Sequence, residues 1–117
     1  VPLFCGFDDL AGRGRLYSYD VVGGRYEETE FTATGSGGPY AKAHLRTAYR
    51  EGLSEDEALE VGVAALVAAA EEDSATGGPD LQRGIYPNVV VIPATGYREV
   101  PEEKVAAAAR RILGEAK

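Results

Sequence analysis

Along residues 15–20 apolar and polar side chains alternate: Leu16, Ser18 and Asp20 fall on one face, Tyr17 and Tyr19 on the other. That period of two is the pattern of a strand. Before it, VPLFCGFDD is a short apolar run that predicts a buried strand, closed by a turn at AGRG. After it, VVGG turns the chain and RYEETEFTAT returns it with weaker alternation, predicting three antiparallel strands. The period then changes. Tyr40, Ala43, His44 and Thr47 recur at i, i+3, i+4 and i+7, predicting a helix over about 38–51 that Gly52 stops. Ser54 with Glu57 three residues later is a capping box. It opens a second helix, to about residue 72, with Leu59, Val63, Leu66 and Ala70 as its stripe. GIYPNVVVIP predicts a further strand, ATG a turn and YREV its hairpin partner. Pro101 suits the first position of a last helix, with Glu102 and Glu103 at its positive end. The order is β-β-β-α-α-β-β-α. Strands and helices in blocks predict an α+β fold, a helix layer on an antiparallel sheet.

Composition narrows the picture only modestly. The 117 residues, 44% hydrophobic and 26% charged, fit one soluble domain with no repeats or linkers. A net charge of −7, with acids spread along the chain, argues against a nucleic-acid partner, whose footprint is a clustered basic face. The single cysteine, Cys5, has no internal partner, so a reducing, cytoplasmic setting is expected. No run reaches the length of a membrane span, and no basic region precedes an apolar one as in a signal peptide. The chain contains no methionine and opens inside an apolar run, so it is expected to be a piece of a longer protein.

Most candidate chemistry weighs less than its structural alternative. Ser36, between glycines at a helix start, sits where free N–H groups can hold an anion. Yet neither nucleotide-binding spacing, G-x-x-x-x-G-K-[ST] nor G-x-G-x-x-G, is present. Ser36, His44 and Asp73 supply the residue types of a hydrolase triad, but the one histidine lies on its helix's apolar stripe and reads as a packed core residue. Cys5, in an apolar strand, reads as a small buried hydrophobe. One His and one Cys far apart make no metal ligand set. There remains EEDSATGGPD, residues 71–80. An alanine-rich helix ends there in acids and then presents Asp73 and Thr76 on a glycine-bounded turn. Turn chemistry alone accounts for such residues, their oxygens bonding nearby amides.

Taken together, RLYSYD, TGSGGPYAK and DSATGGPDLQRGIYPNVVVI, in this order and spacing, resemble the C-terminal half of a proteasome beta subunit, most closely the actinobacterial kind. The resemblance covers essentially all of residues 1–117, as a single domain fragment. It implies an N-terminal-nucleophile hydrolase fold, two antiparallel sheets between helix layers, to which this chain gives later strands and three helices. It implies a threonine-type endopeptidase, whose N-terminal hydroxyl attacks while its own amine serves as base. Ser36 matches the serine that bonds near that amine, and Asp73 the aspartate that orients both. Thr76 falls where many members have serine. Asp20 matches an aspartate that reaches into the neighbouring subunit's substrate cleft. The nucleophile, with the aspartate and lysine nearest it, belongs to the half not represented here, so the chain alone is expected not to cleave peptides. Implied partners are other beta and alpha subunits in heptameric rings, a ring-capping ATPase and protein substrates. No metal or cofactor is implied, nor any nucleic acid or membrane. A non-catalytic structural subunit of the same fold is the alternative.

Overall fold

The computed structural model describes residues 1–115. Strands β1 (Leu3–Asp8), β2 (Arg13–Tyr19) and β3 (Arg25–Glu28) form an antiparallel meander in that order. Register pairs Leu16 with Cys5 and Glu28, and Ser18 with Leu3 and Tyr26. The two faces of β2 therefore divide as its alternation predicts. The face bearing Tyr17 carries a polar lattice. Arg15 bonds Asp8 at 3.0 Å and Glu27 at 3.0 Å, and the Arg25 guanidinium lies 5.1 Å from the Tyr17 ring centre. β3 ends at Glu28, six residues short of its predicted end, and residues 29–37 are irregular.

Helices α1 (Gly38–Ala48), α2 (Glu55–Glu72) and α3 (Glu102–Glu115) follow, with a two-residue hairpin of β4 (Val90–Val91) and β5 (Arg98–Glu99) between the last two. The class is α+β with helices and antiparallel strands in blocks, as predicted, but the expected helix layer on the sheet is corrected: among the described residues the helices pack chiefly on one another and not on the three-stranded sheet. The capping box forms: Ser54 Oγ accepts the Glu57 N–H at 3.1 Å and the Ser54 N–H donates to the Glu57 carboxylate at 3.0 Å. The predicted strand at 84–93 shrinks to Val90–Val91. Pro87 and Pro93 supply no N–H to a ladder and bracket what pairs. Pro101 stands one position outside α3, its carbonyl accepting the Lys104 and Val105 N–H groups as an N-cap residue does.

Every buried apolar side chain among the described residues lies on a helix. Leu59 and Val63 of α2 pack with Val105, Ala108 and Ala109 of α3, while Ala65 and Ala69 pack with Ala41 of α1. Being covered on two sides, α2 buries Ala65, Val67 and Ala69 and leaves Leu66 at 39% exposure, so a single stripe does not describe it. The α1 stripe is corrected more fully. Tyr40, Ala43 and Thr47 are exposed and His44 is half-buried, so the histidine is not a core residue. The inward side carries Gly38 and Ala41, with Leu45 half-buried beside them, because small residues let the two helices approach closely. Cys5 is also corrected. It is exposed, as are Leu3 and Phe4, because no helix covers that strand.

Candidate functional site

Asp73 sits at the C-terminus of α2, its N–H still donating to the Ala69 carbonyl at 2.9 Å while its backbone turns extended. The chain then folds back, the Thr76 N–H donating to the Asp73 carbonyl at 3.0 Å. This turn places Thr76 Oγ1 2.6 Å from Asp73 Oδ2. From a different loop, 37 positions earlier, Ser36 Oγ donates to the same oxygen at 2.6 Å. Asp73 Oδ1 accepts the Ala75 N–H at 3.3 Å. Ser36, Asp73 and Thr76, singled out from the sequence, thus meet.

Glycines make the meeting possible. A Cβ on Gly37 would lie 2.5 Å from Thr76 Oγ1 and 3.2 Å from the Ala69 Cβ, so the Ser36 loop touches the α2 turn only because position 37 has no side chain. Gly35 adopts φ +91°, a left-handed conformation that turns the chain into Ser36. The GSGG run signals close backbone packing but does not name Thr76 as the residue approached.

The electrostatics follow from the bonds. The Ser36 hydroxyl, then the Thr76 hydroxyl and the Ala75 N–H, hold the Asp73 carboxyl below its ordinary value of 3.8, against a smaller opposing effect of burial. Asp73 is therefore an anion that only accepts, and each hydroxyl spends its single proton on it. The unused lone pairs of Ser36 and Thr76 are left free to accept a hydrogen bond from elsewhere, such as an amine N–H. Because Ser36 donates to Asp73 itself, a Ser-His-Asp order with His44 between them is not what the fold assembles.

Asp20 lies apart from this cluster, in the turn between β2 and β3, where Tyr26 and two backbone N–H groups bind its carboxylate. The sequence alone does not reveal the tyrosine partner. The D-x-x-G-G spacing signals a turn, but a cross-strand bond needs the register. Among the described residues no three His, Cys, Asp or Glu side chains gather as a metal site, and no helix is long and apolar enough to cross a membrane.

Residues 1–80 match the family model described as Proteasome subunit, a span that includes the three-stranded meander, α1, α2 and the whole Ser36–Asp73–Thr76 cluster. Over 97% of its length the chain is 47% identical to "Proteasome subunit beta 2" of Thermomonospora curvata. It is 49% identical, again over 97% of its length, to "Proteasome subunit beta" of Streptomyces griseus. It spans 41% and 40% of those two relatives, about two fifths of each. The family carries the N-terminal-nucleophile fold, to which the antiparallel strands and helices described above conform. This chain belongs to the proteasome subunit family, alongside its bacterial beta subunits.

Proposed function

We propose that the chain is part of a threonine-type endopeptidase subunit of the proteasome core particle, and that Ser36, Asp73 and Thr76 are the supporting network of its active site. The observation that carries this is the pair of hydroxyls that both donate to one Asp73 oxygen. A hydroxyl so committed offers its lone pairs outward, which is what an N-terminal amine needs if it is to be held aligned while it takes the threonine proton. The Asp73 charge fixes both hydroxyls in that sense. None of the 117 residues takes the nucleophile's part in this reading, so the chain by itself is inactive. The working particle would contain beta and alpha subunits in heptameric rings, a ring-capping ATPase and protein substrates, in the cytoplasm. Asp20 would face the substrate cleft of the neighbouring subunit.

A structural subunit without catalysis is the second reading, favoured by the fact that Asp and Thr close many turns in this way. One experiment separates the two. In the full-length subunit assembled with its partners, Asp73→Asn keeps the turn's shape but loses the charge. Turnover of a peptide substrate is then expected to fall by about 10²–10⁴, the range of a general acid–base contribution, with assembly intact. Asp80→Asn is the control. Asp80 Oδ1 accepts the Arg83 N–H at 3.1 Å, a bond an amide oxygen keeps. An assembled Asp73→Asn particle that cleaves at close to the unmodified rate leaves Asp73 a turn former and sinks the catalytic reading.

A further inference from the structure

The turn that joins β2 to β3 is organised around one carboxylate. Asp20 Oδ1 accepts the N–H groups of Gly24 at 2.7 Å and Val22 at 3.0 Å. Asp20 Oδ2 accepts the Tyr26 hydroxyl at 2.8 Å. Backbone bonds close the same turn, with the Asp20 N–H donating to the Gly24 carbonyl at 3.0 Å and Gly23 at φ +92°. Gly24 is enclosed by the contact. A Cβ there would lie 2.6 Å from Asp20 Oδ2 and 2.7 Å from the Tyr26 hydroxyl oxygen. The aspartate and tyrosine can meet only over a glycine.

This arrangement orients a charge without neutralising it. An ionised carboxylate has about four acceptor positions, of which the turn fills three and leaves one, on Oδ2. A Lys or Arg in place of Tyr26 would bind Asp20 and cancel its charge, whereas a phenol fixes the carboxylate and leaves the charge intact. The Tyr26 hydroxyl, then the Gly24 N–H, hold the Asp20 carboxyl below its ordinary 3.8. Asp20 and Tyr26 line a groove of about 500 Å³ together with Ser18, Thr32, Thr34 and Lys42. Lys42 and Tyr19 carry the other ionisable side chains on that wall, Val1 adds the amine at the chain's first residue, and none of the three bonds to Asp20.

We propose that Tyr26 and Gly24 are positioning residues that aim the remaining acceptor of Asp20 at a cationic side chain of a bound substrate peptide. The inference rests on the reading in which Asp20 faces a substrate cleft. A carboxylate already held by three bonds loses little rotational freedom when it takes a fourth, so a lysine or arginine bonds it at low entropic cost.

The test uses assembled particles of the full-length subunit and two peptides that differ only in carrying Lys or Glu at each non-scissile position in turn. Asp20→Asn is expected to lower the Lys-over-Glu ratio of kcat/KM about ten- to a hundredfold, the scale of one bond to a charged group. Tyr26→Phe is expected to lower the ratio in the same sense, through KM for the Lys peptide. The double variant should lose no more than Asp20→Asn alone, a non-additivity that a merely structural tyrosine would not produce. If Asp20→Asn lowers the ratio and Tyr26→Phe does not, the positioning role is overturned while the Asp20 reading stands. If neither changes it, the Asp20 reading fails and takes the proposal with it. Should Tyr26→Phe not assemble, Gly24→Ala decides. It separates the same two groups and must lower the ratio, and an unchanged ratio overturns the proposal.

Discussion

Position 37 shows how little room the candidate site allows. A methyl there would press on Thr76 Oγ1 at 2.5 Å and on the Ala69 side chain at 3.2 Å, one of them a member of the cluster and the other part of the α1–α2 seam. Gly37→Ala is therefore expected to destabilise the subunit by about 1–3 kcal/mol, the usual cost of overpacking, and to lower turnover with it. Thermal unfolding and a peptide assay on the same preparation check both. Ser36→Ala acts differently. It removes the largest cause of the depressed Asp73 pKa, so that carboxyl returns toward 3.8. A depressed carboxyl stabilises the fold above its unfolded pKa, and the stabilisation is lost as pH falls through the folded value. Raising the folded value narrows that window, so the acid limb of a stability–pH profile should shrink in Ser36→Ala. At this scale the sequence was informative where chemistry is local. Ser36, Asp73 and Thr76 could be picked out by type and by their glycine-flanked loops, and the structure brings them together. Tyr26 could not, because its link to Asp20 runs across two strands whose register a single sequence does not print.

Among the elements, α2 carries most of the organisation, and its N-terminus is the part most cleanly legible. Ser54 and Glu57 satisfy each other's orphan groups at 3.1 and 3.0 Å, and three acids in the first turn suit the positive end of the helix. Ser54→Ala should cost about 1 kcal/mol, read as a lowered thermal midpoint with no change in the fold. The bonds from α2 to its neighbours predict the opposite result. Asp56–Lys104 and Glu60–Arg111 reach α3, and Glu55–Arg98 reaches β5, but all six side chains are at least 44% exposed. Screened pairs of this kind contribute little, so high salt should barely move the midpoint. The seam beneath them matters more. Val63, Val105, Ala108 and Ala109 are essentially without solvent contact. The helix stripes were harder to read than the cap. A stripe through Tyr40 and His44 puts the inner face of α1 on the wrong side, since glycine and alanine mark a close helix contact more faintly than large side chains do. The strand expected at 84–93 is longer than the one formed for a related reason: valines and isoleucine signal a strand, but Pro87 and Pro93 decide how much of it can pair.

Taken whole, the molecule is more open than its mass allows for a self-sufficient domain. A compact monomer of 12.4 kDa exposes roughly 6,100 Å² by the usual surface scaling. This chain exposes 7877 Å², about 1,700 Å² more than that scaling gives. Its radius of gyration is 14.7 Å, against about 13.4 Å for a compact chain of this length. The excess is as large as a standard protein–protein interface, about 1,600 Å². Part of the exposed apolar surface lies on the three-stranded sheet. β1 and β3 are both open edges, Leu3 and Phe4 are exposed beside them, and Val21, Val22, Leu66, Ile85 and Tyr97 add further apolar surface. An open edge with apolar side chains is a template for pairing with another chain. The charge of −7 opposes association through long-range repulsion, but salt near 0.15 M screens that repulsion beyond about 8 Å, while contacts at an edge are closer than this. The purified 117-residue chain is therefore expected to self-associate, increasingly so at higher concentration and higher salt. Light scattering coupled to gel filtration measures it directly. A mass that stays at 12.4 kDa across a hundredfold range of concentration, in low and high salt alike, would mean that the open sheet is satisfied by water alone.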